Sequence, residues 1–210
     1  MGKQMEKTTA AKEQARRRPQ GRKRIWAALG AALAAGLLIL GGRCLLSDEL
    51  EVTFYHVYSP KTASGENIRV IVLSDLHSRE FGPENQELVE QIAALRPDLI
   101  AIAGDMVNAD DGSLNVVLTL CGQLVEIAPV YYSPGNHESN LMYEKGSPLE
   151  NLLLEQGVHV LINRAESVTI RKTQLLVGGL TTSVEGYEEY GAAFFEEYER
   201  SGRIKLLNAQ

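Results

Sequence analysis

Leu99-Ile100-Ala101-Ile102-Ala103-Gly104-Asp105 is an apolar run that reads as a strand and stops on a glycine and a carboxylate. The same arrangement recurs on both sides of it. Upstream by 30 residues, Asp75-Leu76-His77 follows the apolar run from Arg69 to Ser74. Downstream by 31 residues, Asn136 lies in Gly135-Asn136-His137-Glu138, which follows the run from Val130 to Tyr132. This spacing is that of a strand–helix repeat in a parallel sheet. The carboxyl ends of parallel strands open into one crevice, so Asp75, His77, Asp105, Asn136 and His137 are expected to meet there.

Carboxylate, imidazole and amide oxygen together suit a divalent first-row transition metal. There are too few carboxylates for calcium and too much imidazole for magnesium. Taken singly, each Asp would cap the helix after its strand and each Gly would only permit a turn. Three such strings in order, each at a strand exit, point instead to a metal site. A receiver-like domain phosphorylated on Asp75 or Asp105 would leave His77, Asn136 and His137 without a use.

The order and spelling of these motifs resemble the calcineurin-like metallophosphoesterase family, from about Ile68 to Leu207, and most nearly its membrane-anchored bacterial branch. The resemblance implies a layered α/β sandwich and two divalent transition-metal ions (Mn, Zn or Fe). It implies that Asp75 and His77 hold one metal, Asp105 bridges both, and Asn136 binds the other. His137 would stand beside them as the catalytic acid or transition-state stabiliser. Two cations about 4 Å apart activate a hydroxide for in-line attack on a phosphate monoester or diester.

Two further motifs of that family supply three more histidines. This chain has four His in all, with none after His159. The resemblance therefore implies an α/β domain that is incomplete at its C-terminus, truncated before its last histidine ligands, with a second metal position short of ligands. The alternative to an enzyme is a non-catalytic membrane-anchored relic or fragment.

The net charge of −6 hides two opposite segments. Residues 1–24 carry nine Lys or Arg against two acidic residues, whereas from Ser47 onward eleven basic residues face twenty-five acidic ones. Between them, Ile25 to Gly42 is uncharged, and with Arg43 snorkelling the apolar span extends through Leu46, enough for one transmembrane helix. The expected organisation is a basic cytoplasmic tail (1–24), an uncleaved anchor (25–46), a connecting segment (47–67) and the phosphoesterase domain (68–210). The protein is placed as a single-pass protein of the cytoplasmic membrane, N-terminus inside and domain outside. The tail is expected to attract anionic lipid headgroups rather than nucleic acid. Arg43 directly before Cys44 argues against a lipidation box.

Several other residues have readings of their own. Arg79, just after the first ligands, is a candidate contact for a substrate phosphate oxygen. Asn108 stands in the bend after Asp105, and Glu138 reads as orienting a neighbour, since such carboxylates commonly fix ligand imidazoles. His56, in an alternating stretch, and His159 read as strand residues, and Cys121 as a core residue of the helix over Leu114 to Glu126. A helix opened by Pro83 and ended at Arg96-Pro97, another closed by Gly157, and one over Tyr187 to Arg200 complete the expected helices. Short strands are expected over Val158 to Ile162, Ser167 to Arg171, Leu175 to Val177 and the segment beginning at Arg203.

Overall fold

The run from Leu99 to Ala103 forms the strand at the heart of the domain, with Leu99, Ile100, Ala101 and Ile102 all essentially inaccessible to solvent. In this computed structural model, residues 50–180 and 191–208 are described. A strand buried on both faces needs cover from both sides, and this one has it. The first sheet has the order β1 (Val70–Leu73), β2 (Leu99–Ala103), β3 (Val130–Ser133), β4 (His159–Val160), and every pair in it is parallel.

Period-two alternation divides β2 and β3 between two cores. Ile100, Ile102, Val130 and Tyr132 face the helices. These are α1 (Gln86–Leu95), α2 (Asn115–Leu124), the single turn α3 (Asn136–Ser139) and α4 (Leu149–Glu155). The apolar faces Leu88/Ile92, Val117/Leu120/Cys121/Leu124 and Leu149/Leu153 cover that side of the sheet. Each fully buried aliphatic side chain contributes about 1.5–3 kcal/mol to this layer.

Leu99, Ala101 and Tyr131 point the other way, into a second core with Leu161, Ile170, Leu175 and Val177. Its far wall is a second sheet, β5 (Arg164–Ile170), β6 (Thr173–Gly179) and β7 (Ile204–Asn208), antiparallel between β5 and β6 and parallel between β6 and β7. Helix α5 (Ala192–Arg200) precedes β7. Asn208, buried at the end of β7, donates its side-chain amide to the carbonyls of Ile102 and Tyr131, so the last residue of the second sheet is bonded to two strands of the first. The result is a layer of helices on a parallel sheet, backed by a mixed sheet.

Several boundaries differ from expectation. Pro83 opens a short 3-10 turn, Pro83–Asn85, and the α-helix starts only at Gln86, because Glu84 and Asn85 both have positive φ. The expected strand from Val158 to Ile162 is paired only at His159–Val160, after which Asn163, at φ 49°, turns the chain into β5. The strand expected over Ser167 to Arg171 starts earlier, at Arg164, and ends before Arg171, whose φ is 53°. His56 does not lie in a strand. The stretch 51–58 pairs with neither sheet, and Tyr55, Val57 and Tyr58 are at least 84% exposed, so its alternation has no face to bury.

The predicted tail (1–24) and membrane span (25–46) lie outside the described residues, as do positions 187–190 of the last predicted helix. Among the described residues, no helix is long and apolar enough to cross a membrane.

Candidate metal centre

The carboxyl ends of β1, β2 and β3 lie side by side, and each is followed by one of the three polar strings. Strand pairing therefore delivers the strings to a common rim, where the loops are stitched to one another. The amides of Asp75, His77 and Ser78 donate to the carbonyls of Gly104, Asp105 and Met106, at 3.1, 2.9 and 2.8 Å. This zips the first loop onto the second. Asp75, His77, Ser78 and Asp105 all take left-handed backbone conformations, with φ between 50° and 56°. Such conformations cost side-chain-bearing residues about 1–2 kcal/mol each, so the cross-loop bonds must hold them.

The second loop is joined to the third through Glu138, which is completely buried. One of its carboxylate oxygens accepts the amides of Asp105 and Gly135, both at 2.9 Å. The other accepts the Met106 amide at 2.8 Å and the Tyr132 hydroxyl at 2.6 Å. Four donors thus satisfy a carboxylate that would otherwise be costly to bury. Burial, and then the neighbouring Glu138, push the Tyr132 hydroxyl well above the usual phenol range, which keeps it a donor. Glu138 does orient its neighbours, but it does so by taking backbone amides and a tyrosine hydroxyl rather than an imidazole.

On this platform one donor atom from each of His77, Asp105 and His137 lies within 4.8 Å of the others. The imidazoles of His77 and His137 meet edge to face, 4.9 Å between ring centres. Asp75 stands next to them, its carboxylate 3.9 Å from His77 Nε2. Asp105 Oδ1 accepts the backbone amide of His137 at 3.1 Å. Asn136, the first residue of α3, is exposed beside His137.

A further bond is made by one of the two histidines. The Ala109 amide donates to His137 Nδ1 at 2.8 Å, so that nitrogen acts as an acceptor and Nε2 carries the proton in the neutral ring. A ring whose Nε2 bears hydrogen donates to an oxygen, and in that tautomer it offers no lone pair to a cation. His77 brings an imidazole to the cluster and Asp105 a carboxylate, with the Asp75 carboxylate alongside. Imidazole with carboxylates is a donor set suited to a divalent transition metal.

Other residues of the rim were not evident from motifs. Asp111 accepts the Ser78 hydroxyl and the Asn108 amide (2.8 Å) on one oxygen and the Asn108 side chain (3.2 Å) on the other. Burial raises its pKa, but these hydrogen bonds outweigh that and hold the carboxyl below its ordinary value. Asn108 also donates to the His77 carbonyl at 3.1 Å. The one sequence signal for this network was the Asn-x-x-Asp turn, closed by the Asp111 amide on the Asn108 carbonyl. Arg79 has its guanidinium over the Phe81 ring at 5.9 Å. His159 stacks on Tyr131 and bonds Glu166 at 2.7 Å, and it is not one of the clustered donors.

The calcineurin-like phosphoesterase profile matches residues 68–207, and the chain belongs to that family of metal-dependent hydrolases. It is similar to the phosphodiesterase YaeI of Escherichia coli, 33% identical over 117 residues that make up 52% of this chain and 42% of YaeI. It is also similar to a Caenorhabditis elegans protein named for the metallophosphoesterases, 32% identical over 120 residues, 54% of this chain and 23% of that protein. The matched stretches thus span less than half of either relative's length. Among solved structures, the phosphopantetheinyl hydrolase of Mycobacterium tuberculosis aligns over 68% of this chain and 67% of its own, with a TM-score of 0.47 and 16% identity.

Proposed function

We propose that this chain is a metal-dependent phosphoesterase acting on phosphate monoesters or diesters. The observation that carries the reading is the convergence of His77, Asp105 and His137 at the ends of three adjacent parallel strands. Asp75, His77 and Asp105 would hold one divalent cation, and Asp105 and Asn136 would face a second. Bound metal would supply Lewis acidity toward the phosphoryl oxygens and a nucleophile at neutral pH. His137, with its proton fixed on Nε2 by the Ala109 amide, donates to the departing oxygen. His137 and Asn136 come from the third loop and Asp75, His77 and Asp105 from the first two, and Glu138 and the interloop amides hold the loops in register.

The proposed location is the outer face of the cytoplasmic membrane, with the domain tethered by the span at 25–46. The support is the charge split on either side of that apolar stretch. Protease added to intact spheroplasts should remove the domain, and full protection would overturn this topology.

Calorimetry of the full chain with Mn²⁺ tests the chemistry. Binding that is lost in Asp105→Ala supports the assignment, and binding that survives the substitution overturns it. Replacing His137 with Ala should lower metal-dependent hydrolysis of an aryl phosphoester by about 10²- to 10⁴-fold in kcat while leaving bound metal unchanged. Loss of metal in that variant would make His137 a ligand instead.

A further inference from the structure

We propose that Asp111 is a positioning residue for the metal centre, holding the His77 loop in its left-handed geometry through Ser78 and Asn108. This rests on the functional reading above and adds to it a residue that does not belong to the clustered donors.

His77 and Ser78 sit at φ 50° and 56°, conformations an unsupported loop of L-residues would leave. Backbone amides tie the loop to the second loop from one side. Further ties run through side chains: Asn108 Nδ2 to the His77 carbonyl at 3.1 Å, and the Ser78 hydroxyl to Asp111 Oδ2. Both end on the same carboxylate, because Asp111 Oδ1 also accepts Asn108 Nδ2 and Oδ2 accepts the Asn108 amide. One side chain therefore grips the His77 carbonyl indirectly and the next residue directly. A role limited to closing the 108–111 turn would leave affinity for a cation at His77 unchanged. A positioning role would not, because a ligand imidazole swings with its own backbone.

The test is Mn²⁺ affinity by calorimetry on the full chain, with circular dichroism to confirm folding. Asp111→Ala should weaken binding by about 10- to 100-fold, as loss of an outer partner to a ligand does. Asp111→Asn should recover part of the affinity, since an amide oxygen in the Oδ2 position can still accept both the Ser78 hydroxyl and the Asn108 backbone amide, and only the bond from the Asn108 side chain is lost. The double variant Ser78→Ala/Asp111→Ala should bind no more weakly than Asp111→Ala alone, because both remove the same tie.

Unchanged affinity in a folded Asp111→Ala chain, or an Asp111→Asn chain as weak as the alanine variant, would overturn the proposal alone. No binding by the unaltered chain would overturn the functional reading and this proposal with it. If Asp111→Ala does not fold, Ser78→Ala decides: about threefold weaker binding or more, the loss of one hydrogen bond, supports the proposal, and unchanged binding overturns it.

Discussion

Gly104 and Gly135 touch through their backbones: a Cβ placed on Gly104 would lie 2.3 Å from the Gly135 amide nitrogen and 2.4 Å from its Cα. The second and third loops meet here with no side chain between them, and that closeness lets the Glu138 carboxylate reach the amides of both Asp105 and Gly135.

Gly104→Ala should therefore fail on two counts. Its φ of +72° disfavours any side chain, and the added methyl would meet backbone that cannot move aside. The expected loss is about 2–4 kcal/mol, combining left-handed strain with overpacking. Urea denaturation of wild type and variant measures it, and a loss below about 0.5 kcal/mol, the range of an ordinary surface change, would refute the contact.

Replacing Glu138 should cost more than removing any one of its donors. Glu138→Ala leaves buried amides without an acceptor, at about 3 kcal/mol or more. Glu138→Gln turns an NH₂ toward donors, at about 2 kcal/mol, and Tyr132→Phe removes a single bond, at about 1 kcal/mol. The denaturation midpoints should fall in that order, and a Tyr132→Phe chain weaker than Glu138→Ala would reverse the argument.

Cys121 is buried on α2, and burial, with the nearby Glu138 charge, pushes its thiol from 9.0 up to about 12. It should not react with a maleimide in the folded chain at about pH 8 and should react once the chain is unfolded. Because the folded thiol titrates later than the unfolded one, its contribution to stability is full below 9.0 and declines as pH rises toward 12. Peptide mapping of labelled protein reports the first effect, and rapid modification of Cys121 without denaturant would contradict it.

Glu66 clasps the turn between β5 and β6, accepting the Thr173 hydroxyl at 2.6 Å and the Lys172 amide at 3.0 Å. The Thr173 bond is the main reason its carboxyl titrates below 4.5. A depressed carboxyl stabilises the fold fully above its unfolded value and loses that contribution as pH falls through its folded value. The difference in thermal stability between wild type and Glu66→Gln should thus be constant above 4.5 and close below it. A difference that stays constant into stronger acid would show that the clasp does not depend on charge.

The run Leu99 to Ala103 was readable because a strand buried on both faces leaves a purely apolar record, and the strings behind it marked where side chains would gather. Helix faces such as Leu88/Ile92 and Val117/Cys121 were readable for the same reason, since burial repeats with the period of the element. Contacts made across loops left no such record. Nothing in the order of Ser78 and Asp111, or of Tyr132 and Glu138, states that they bond. The stretch around His56 shows the opposite failure, an alternating pattern with no sheet beside it, because alternation reports a preference and pairing requires a neighbour. The place of the Arg79 guanidinium over Phe81 likewise depends on a ring two residues further along.

Among the described residues, no side chain of the second sheet joins the candidate metal cluster, yet the sheet bears on that cluster through the Asn208 amide. By bonding the carbonyls of Ile102 and Tyr131, that one side chain braces from behind the strands whose ends carry Asp105 and Asn136. The strand ends cannot slide along one another without breaking a bond made by the opposite wall of the sandwich. A substitution at the end of β7 would therefore be felt as a change in the spacing of Asp105 and Asn136.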